Sequence, residues 1–303
     1  MFSQQSSQSS GDLERELASM DINTQTQLCG VLGNPVEHSL SPAIHNAAFQ
    51  HLGLNYVYLA FRVEQVKEAI QGIRALGNLR GFSVTIPHKV SAMTHMDNID
   101  DTAKHIGAIN TIVKTDGTLT GYNTDASGAL QALRQAKTAL DDQRVLILGS
   151  GGAARAIAFG LALHERIAGL TILGIVNDER ANLVTDLRKG TTVAIEEAHL
   201  SEKTIGPAIE QAQVLIHCTP LGMHPKVDHT CVPQDLLKAH LTVMDVVYNP
   251  RETRLLREAR EVGCATIPGL EMFLHQAVTQ FELWTGQSAP TEVMREILEA
   301  QFL

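Results

Sequence analysis

Arg144-Val-Leu-Ile-Leu-Gly-Ser-Gly-Gly-Ala-Ala154 lies near the middle of the 303-residue chain. Its first half is an apolar run typical of a buried strand, and the Ala-rich segment that continues to residue 163 is typical of a helix. Between them stands Gly149-x-Gly151-x-x-Ala154. In such a turn the first glycine permits a tight bend, the second lets backbone approach a pyrophosphate, and the small third residue packs closely on the strand. The stretch therefore predicts a dinucleotide-binding turn; a tight glycine turn that binds no ligand is the alternative.

Strand-like and helical runs alternate along the chain from residue 26 onward. Strands are predicted at residues 27–32, 55–61, 81–86, 109–114, 119–122, 145–148, 170–176, 191–195, 213–217, 241–246 and 265–267. Helices are predicted at residues 41–52, 63–76, 124–136, 153–163, 178–188, 202–210, 253–262, 270–285 and 291–302. Repeated strand–helix units predict an α/β protein: an N-terminal α/β substrate domain and a Rossmann-type, doubly wound parallel-sheet cofactor domain, with a cleft between them.

The place of the glycine turn sets the expected domain boundaries. Residues 1–24 are expected to form a polar, disordered extension. Residues 25–136 form the predicted substrate domain, which the C-terminal helices within 270–303 complete, and residues 137–269 form the predicted cofactor domain. In the helix predicted at residues 270–285, apolar residues at helical spacing predict a face that is buried in the core. Gln276 and Gln280 lie on another face, free to serve a cleft.

Composition indicates a globular enzyme-like chain rather than a nucleic-acid or membrane protein. The hydrophobic content is 44% and the charged content 19%, which are typical of soluble globular proteins. A net charge of −9 and a pI near 5.8 argue against a nucleic-acid partner, which usually leaves a basic footprint. No apolar run approaches the ~18 residues that a membrane span needs, and the polar N-terminus does not resemble a secretory signal. The expected partner is a small-molecule substrate, and the expected state is a monomer or homodimer.

The cysteines and histidines do not indicate a disulfide framework or a metal site. The four cysteines lie far apart in sequence, without a C-x-x-C pair, so a reducing, cytoplasmic environment is expected. His224 and His229 could supply two ligands, but they flank a loop beside Pro225 and lack the i, i+4 helical spacing of a metal pair. We therefore expect no metal.

Six segments, in order and at matching spacing over roughly residues 28–302, resemble the shikimate dehydrogenase family. They are Gly33-Asn-Pro-Val-Glu-His-Ser-Leu-Ser-Pro42, Ser83-Val-Thr-Ile-Pro-His-Lys89, Gly107-Ala-Ile-Asn-Thr111, Gly121-Tyr-Asn-Thr-Asp125, Asp245-Val-Val-Tyr-Asn-Pro250 and Gly269-Leu-Glu-Met-Phe-Leu-His-Gln276. Each motif alone is modest, but six in sequence are highly specific. The resemblance implies a reversible, NADP-linked reduction of 3-dehydroshikimate to shikimate in aromatic amino acid biosynthesis.

The resemblance implies that Lys89 and Asp125 are the catalytic residues. A dehydrogenase that reduces a ketone needs a proton donor beside the carbonyl, and the same group accepts the proton in the reverse direction. Lys89 follows the end of a predicted strand and Pro87, so its amine can project toward the cleft. The structural alternatives are that Lys89 is a solvated surface lysine and that Asp125 is an acidic residue stabilised by the helix dipole in a first helical turn.

A polyhydroxylated ring carboxylate needs hydrogen-bond donors for its carboxylate and mixed groups for its alcohols. The resemblance assigns Ser39 and Ser41 to the carboxylate, although a serine before Pro42 is also a strong helix N-cap signal. It places the other substrate-binding groups at Thr85, Asn110, Asp125, Tyr248 and Gln276.

The resemblance also implies a set of cofactor-binding residues, and here the chain departs from the family pattern. The set is Gly149, Ser150, Gly151, Gly152, Ala153, Asn177, Asp178, Arg180, Val246 and Gly269. NADP-dependent members commonly carry two arginines after the second strand of this domain, and only Arg180 stands here, beside Asp178 and Glu179. An acidic residue there is typical of NAD binding. NADP is the predicted cofactor, with NAD as an alternative or additional one.

Three functional hypotheses remain open. An NADP-linked shikimate dehydrogenase comes first, followed by a quinate/shikimate dehydrogenase that uses NAD or both cofactors. Ser83 and Tyr122 replace residues common in the family and favour its plant-type, bifunctional branch. A nucleotide-binding sensor without catalysis is the remote alternative, and the presence of both Lys89 and Asp125 argues against it.

Overall fold

Two six-stranded sheets organise the computed structural model, which describes residues 22–302. The strands are β1 (Gln27–Gly33), β2 (Tyr56–Arg62), β3 (Leu79–Val84), β4 (Asn98–Ile99), β5 (Thr111–Thr115), β6 (Thr118–Tyr122), β7 (Arg144–Leu148), β8 (Gly169–Gly174), β9 (Ala194–His199), β10 (Val214–His217), β11 (Thr242–Asp245) and β12 (Ala265–Ile267). The helices are α1 (Ser41–His51), α2 (Val66–Ala75), α3 (Asp101–Ile106), α4 (Thr124–Gln135), α5 (Gly152–His164), α6 (Asn177–Gly190), α7 (Glu202–Gln211), α8 (Arg254–Val262), α9 (Gly269–Thr285) and α10 (Thr291–Ala300). Short 3₁₀ turns span Ser91–His95 and Gln234–Leu236. The expected extension over residues 1–24 lies almost wholly outside the described residues.

The second sheet is parallel throughout, in the order β12-β11-β10-β7-β8-β9. This is the strand order of the Rossmann fold, so the predicted doubly wound cofactor sheet is confirmed. Its central strand β7 is apolar because both faces are covered: Val145 and Ile147 belong to one core, and Leu146 and Leu148 to the other. All carboxyl ends meet at one edge, where ligands of this fold bind.

The first sheet is mixed, in the order β2-β1-β3-β5-β6-β4. Its β1 pairs in parallel with β2 and β3, whereas β5 is antiparallel to both β3 and β6. The turn between β5 and β6 places Asp116 and Gly117 at φ of 48° and 82°, as the Asp-Gly signal predicts. The antiparallel insertion brings Asn110 and Asp125 to the same end of the sheet as the loop after β3.

Helices α9 and α10 return to the first sheet. Leu270, Leu274, Phe281 and Trp284 are buried in one core with side chains from β1, β2 and α1. Gly128 of α4 lies so close to α9 that an added Cβ would come within 2.8 Å of the Met272 carbonyl oxygen. This contact fixes α9 beside α4, so residues of both helices reach one cavity.

Candidate active site

A cavity of about 360 Å³ lies between the carboxyl edges of the two sheets. Every predicted catalytic and substrate-binding residue lines it: Ser39, Ser41, Thr85, Lys89, Asn110, Asp125, Tyr248 and Gln276. Ala153, Val246 and Gly269 of the predicted cofactor set line the same cavity. The structure therefore brings together side chains from both sheets and from α1, α4 and α9.

Lys89 and Asp125 form an ion pair in the wall of this cavity. The Lys89 Nζ donates to Asp125 Oδ2 at 2.6 Å, and the two side chains are 31% and 15% exposed. Lys89 follows β3 in the loop that contains Pro87, while Asp125 lies in the first turn of α4. Asn123 caps that helix by accepting from the Asp125 backbone N–H at 3.1 Å. A negative charge in a first helical turn is stabilised by the helix dipole, which favours the carboxylate.

Asn110 fixes the other oxygen of the same carboxylate. Its Nδ2 donates to Asp125 Oδ1 at 2.8 Å. The orientation of the amide is determined because the Thr124 backbone N–H donates to Asn110 Oδ1 at 2.7 Å. Asp125 is thus held from two sides, by an amide and an ammonium, and its Lys89 partner remains partly open to the cavity.

Ser39 and Ser41 lie where α1 begins, and the sequence signal for the cap is wrong by one residue. Leu40 occupies the N-cap position without a side-chain hydrogen bond, and Ser41 is the first helical residue. The reason is that Ser39 Oγ accepts from the Ser41 backbone N–H at 3.3 Å, so the upstream serine satisfies that amide. Ser41 is buried and lines the cavity rather than capping the helix.

Tyr248 and Gln276 lie on the side of the cavity nearest α9. Burial raises the pKa of Tyr248, so its phenol keeps its proton at neutral pH and can donate. Its ring packs on Phe273 with centroids 5.0 Å apart. Gln276 Nε2 donates to the Phe273 carbonyl at 2.9 Å, which leaves its Oε1 as an acceptor toward the cavity.

Three further polar residues of the cavity wall, His38, Ser83 and Gln280, were not among the predicted site residues. Ser83 Oγ donates to Gln280 Oε1 at 2.8 Å, and both side chains are buried. Gln280 was expected, with Gln276, on a helix face free to serve a cleft, and both line the cavity. Ser83 was singled out only as a replacement within a family motif, since alternation within β3 cannot show that its end faces a cavity.

The glycine turn has room for a dinucleotide. Gly149 has φ of 112°, and an added Cβ would lie 2.9 Å from the Cys218 carbonyl oxygen, so only glycine fits there. At Gly151 and Gly152 an added Cβ would meet nothing within 4 Å. The N-terminus of α5 has no side-chain cap, which leaves its amides available to an anion such as a pyrophosphate. These residues fit a dinucleotide, with Ser150 between them.

At the N-terminal end of α6, the charged residues make contacts that the sequence did not predict. Asn177 and Asp178 are exposed at the carboxyl end of β8, as expected for ribose contacts. Arg180, however, already donates to Glu197 on β9 at 3.1 Å and to the Gly174 carbonyl at 2.7 Å. The one predicted cation for a 2′-phosphate is therefore bound to a carboxylate of its own chain.

Residues 22–302 contain neither a metal-binding cluster nor a membrane-spanning helix. No group of three or more His, Cys, Asp or Glu side chains in that range could hold a metal ion. No helix in that range is both long enough and apolar enough to cross a membrane.

A Rossmann domain that faces a polar cavity with a lysine–carboxylate pair defines a nicotinamide-dependent oxidoreductase. Residues 31–112 match the shikimate dehydrogenase substrate binding domain, and residues 269–299 match the shikimate 5′-dehydrogenase C-terminal domain. The shikimate dehydrogenase (NADP(+)) of Methanothermobacter thermautotrophicus is 42% identical over 281 residues, which cover 92% of this chain and 98% of that protein. The chain belongs to the shikimate dehydrogenase family.

Solved structures agree with this assignment. Shikimate 5-dehydrogenase from Listeria monocytogenes, in complex with shikimate and NAD, is 38% identical with a TM-score of 0.87, covering 92% of this chain and 98% of that one. Quinate dehydrogenase from Corynebacterium glutamicum, in complex with NAD, is 29% identical with a TM-score of 0.84, covering 91% and 99%. The plant-type branch suggested by Ser83 and Tyr122 stays a prediction.

Proposed function

We propose that this protein catalyses the reversible, NADP-dependent reduction of 3-dehydroshikimate to shikimate, a step of aromatic amino acid biosynthesis. The observation that carries the proposal is the Lys89–Asp125 pair in a cavity that the dinucleotide-binding turn also borders. The volume of about 360 Å³ suits a small molecule rather than a polymer.

Lys89 supplies and removes the proton in this proposal. In the direction of reduction, the carbonyl oxygen of the substrate takes a proton from Lys89 Nζ as the alcohol forms. In the direction of oxidation, the neutral amine accepts that proton. Asp125 holds the ammonium in place and accepts a hydrogen bond from a substrate hydroxyl. A cofactor held at the glycine turn would supply the hydride to the carbonyl carbon in reduction and would take it back in oxidation.

The substrate-binding roles follow the chemistry of each side chain. Ser39 and Ser41 hydroxyls donate to the carboxylate of the ring. Neutral groups, which satisfy hydroxyls without adding charge, surround the rest of it at Thr85, Asn110, Tyr248 and Gln276. The short apolar wall of the cavity, which includes Val31 and Met272, faces the carbon skeleton.

The cofactor-binding roles are assigned to residues around the turn and the neighbouring strand ends. Backbone amides of residues 149–153, at the start of α5, would hold the pyrophosphate. Val246 and Gly269 would contact the nicotinamide end, and Asn177, Asp178 and Arg180 would contact the adenosine end. Gly269 has no room for a side chain, since an added Cβ would lie 2.6 Å from the Val246 carbonyl oxygen.

A second candidate is a quinate/shikimate dehydrogenase with NAD or dual cofactor use. The observation that favours it is the pairing of Arg180 with Glu197, beside the exposed Asp178. A noncatalytic sensor has no such support, because the Lys89–Asp125 pair is complete. We also propose a monomer or homodimer in the cytoplasm, where the four free cysteines stay reduced.

Steady-state kinetics with shikimate and quinate, each with NADP and with NAD, test the proposal. We expect shikimate with NADP to give the highest kcat/KM of the four combinations. A higher value for quinate with NAD would establish the second candidate. Binding of NADP without turnover of either substrate would contradict both and support the sensor.

A further inference from the structure

A continuous chain of hydrogen bonds joins residues of the cavity wall to two residues buried behind it. It begins on β2, where Tyr58 Oη donates to Ser83 Oγ at 2.7 Å. Ser83 Oγ donates to Gln280 Oε1 at 2.8 Å, and Gln280 Nε2 donates to Thr111 Oγ1 at 2.9 Å. Tyr58 and Thr111 do not line the cavity, and both are fully buried.

The chain ends on the catalytic pair. Thr111 Oγ1 donates to Asn110 Oδ1 at 2.8 Å, and Asn110 Nδ2 donates to Asp125 Oδ1 at 2.8 Å. Asp125 Oδ2 then accepts from Lys89 at 2.6 Å. A tyrosine on β2 is thus connected, through residues of β3, α9 and β5, to the carboxylate that holds the lysine.

The direction of every bond near the carboxylate is fixed by one backbone group. The Thr124 N–H can only donate, so the Asn110 atom that it meets at 2.7 Å is the oxygen. That oxygen can only accept, so the single hydroxyl proton of Thr111 points to it. Thr111 must then accept from its other neighbours, Thr124 Oγ1 at 3.3 Å and Gln280 at 2.9 Å, which makes the facing atom of Gln280 its amide nitrogen.

The same logic sets the remaining bonds. With its nitrogen toward Thr111, Gln280 turns its oxygen toward Ser83, and Ser83 must donate to it. Ser83 has then used its only proton, so it accepts from Tyr58. Every donor in the chain points toward Asp125, and Ser83 is left as an acceptor on its cavity side.

We infer that Thr111 and Gln280 are positioning residues, which act through Asn110 to hold the Asp125 carboxylate toward Lys89. The inference rests on the proposed function. Aligned bonds in a dry environment strengthen one another. Removing the Thr111 hydroxyl takes one donor from Asn110 Oδ1 and leaves the Gln280 amide with a single long contact, to the Asn110 carbonyl at 3.4 Å. Asn110 then holds Asp125 less firmly during proton transfer.

The test compares Thr111→Val, which keeps the shape of the side chain and removes its hydroxyl, with Thr111→Ser, which keeps the hydroxyl and removes the methyl group. We expect Thr111→Val to lower kcat about fivefold, the scale of one neutral hydrogen bond, and Thr111→Ser to stay within twofold of wild type. In single turnovers in D₂O and H₂O, the solvent isotope effect should increase in Thr111→Val, because proton transfer through Lys89 is slowed. Thr279→Val is the matched control on α9, because the Thr279 hydroxyl donates only to the His275 carbonyl of its own helix.

Gln280→Met is the second variant, to be used if Thr111→Val does not fold. It removes both polar atoms of the amide and keeps a side chain of similar length. It should show the same loss of kcat and the same rise in the isotope effect. Unchanged kcat and isotope effect in a folded Thr111→Val or Gln280→Met protein would overturn the inference. So would equal losses in Thr111→Ser and Thr111→Val. Absence of dehydrogenase activity in the wild type would instead contradict the proposed function.

Discussion

Lys89 is both paired with a carboxylate and accessible from the cavity. Its Nζ lies 2.6 Å from a carboxylate, yet 31% of the side chain is exposed to the cavity. An ion pair made only for stability at such exposure contributes little, with a median of ~0–1 kcal/mol. The position is better explained by a reaction that needs a held but accessible amine.

Lys89→Ala should lower kcat by ~10²–10⁴-fold, the usual contribution of general acid–base catalysis. The dissociation constant for NADP should change less than threefold, because Lys89 does not belong to the turn that holds the dinucleotide. Steady-state kinetics and fluorescence titration measure the two quantities. Retention of more than a tenth of the wild-type kcat would remove Lys89 from this role.

The two serines near the start of α1 lead to a different kinetic effect. Ser39→Ala and Ser41→Ala should chiefly raise KM for shikimate, because the carboxylate contact is equal in ground and transition states. A hydrogen bond to a charged group contributes ~1.5–3 kcal/mol, so KM should rise by at least ~10-fold. Wild-type KM in both variants would place the carboxylate elsewhere.

The residue motifs were readable from sequence, but their second partners were not. The resemblance to a known family pointed to Lys89 and Asp125, because the segments that carry them are distinctive. The Ser41 cap was predicted wrongly, since a Ser-Leu-Ser-Pro run offers two serines and only the fold shows which one serves the helix. Ser83 and Gln280 meet across 197 residues of sequence, a distance over which no local pattern operates.

At the level of elements, the turn from β8 into α6 shows how a neighbouring strand changes a sequence interpretation. Arg180 and Asp178 suggested competing charges on one loop. The structure adds Glu197 from β9, which pairs in parallel with β8 and takes the guanidinium. The Arg180 and Glu197 side chains are 13% and 30% exposed, so the pair is only partly screened by water.

Glu197→Gln should therefore strengthen binding of a 2′-phosphate by ~5–20-fold, since it releases Arg180 from its own counter-ion. The dissociation constants of 2′,5′-ADP and 5′-AMP measure this without catalysis, and only the former should change. Glu196→Gln is the matched control, because Glu196 pairs with Arg144 instead. Arg180→Ala should instead weaken binding of 2′,5′-ADP. In the wild type, kcat/KM for NADP and for NAD should differ by less than ~100-fold, or ~2.8 kcal/mol. If the ratio of the dissociation constants of 2′,5′-ADP and 5′-AMP were the same in Glu197→Gln and in wild type, Arg180 would not contact the 2′-phosphate.

Most of the elements that the sequence did not predict are short. Helix α3 and the two-residue β4 were not predicted, because six residues and two residues give no measurable period. Signals for α3 were nevertheless present. Asp100 accepts from the backbone N–H of Thr102, and Gly107 ends the helix at φ of 75°.

For the whole molecule, the parallel sheet followed from repeated strand–helix units, whereas the mixed order of the first sheet did not. Antiparallel β5 sits between β3 and β6 through pairings that depend on the complete chain. The C-terminal helices were expected to complete the substrate domain, and Trp284 of α9 donates to the Ile112 carbonyl of β5 at 3.0 Å. The C-terminal segment therefore contributes directly to the packing of the first sheet.

Two of the buried histidines, His45 beside the first sheet and His217 in the second, respond to pH in opposite senses. Complete burial lowers the pKa of His45 to about 3; its ring stacks on Tyr58 with centroids 4.6 Å apart. Burial also opposes protonation of His217, but its 2.9 Å hydrogen bond to the fully buried Asp245 prevails and raises its pKa to about 9. An unfolded histidine has a pKa near 6.5.

These shifts predict a maximum in the free energy of unfolding near pH 6.5. Below that pH the unfolded chain takes up a proton at His45 that the folded protein refuses, so stability falls as the pH approaches 3. Above it the unfolded chain loses a proton that the folded protein keeps at His217, so stability falls as the pH rises through 9. Urea unfolding from pH 5 to 9 measures the profile. His45→Phe should flatten its acid side and His217→Gln its alkaline side, and a wild-type maximum above pH 8 would contradict the assignment of a charged His217 in the folded protein.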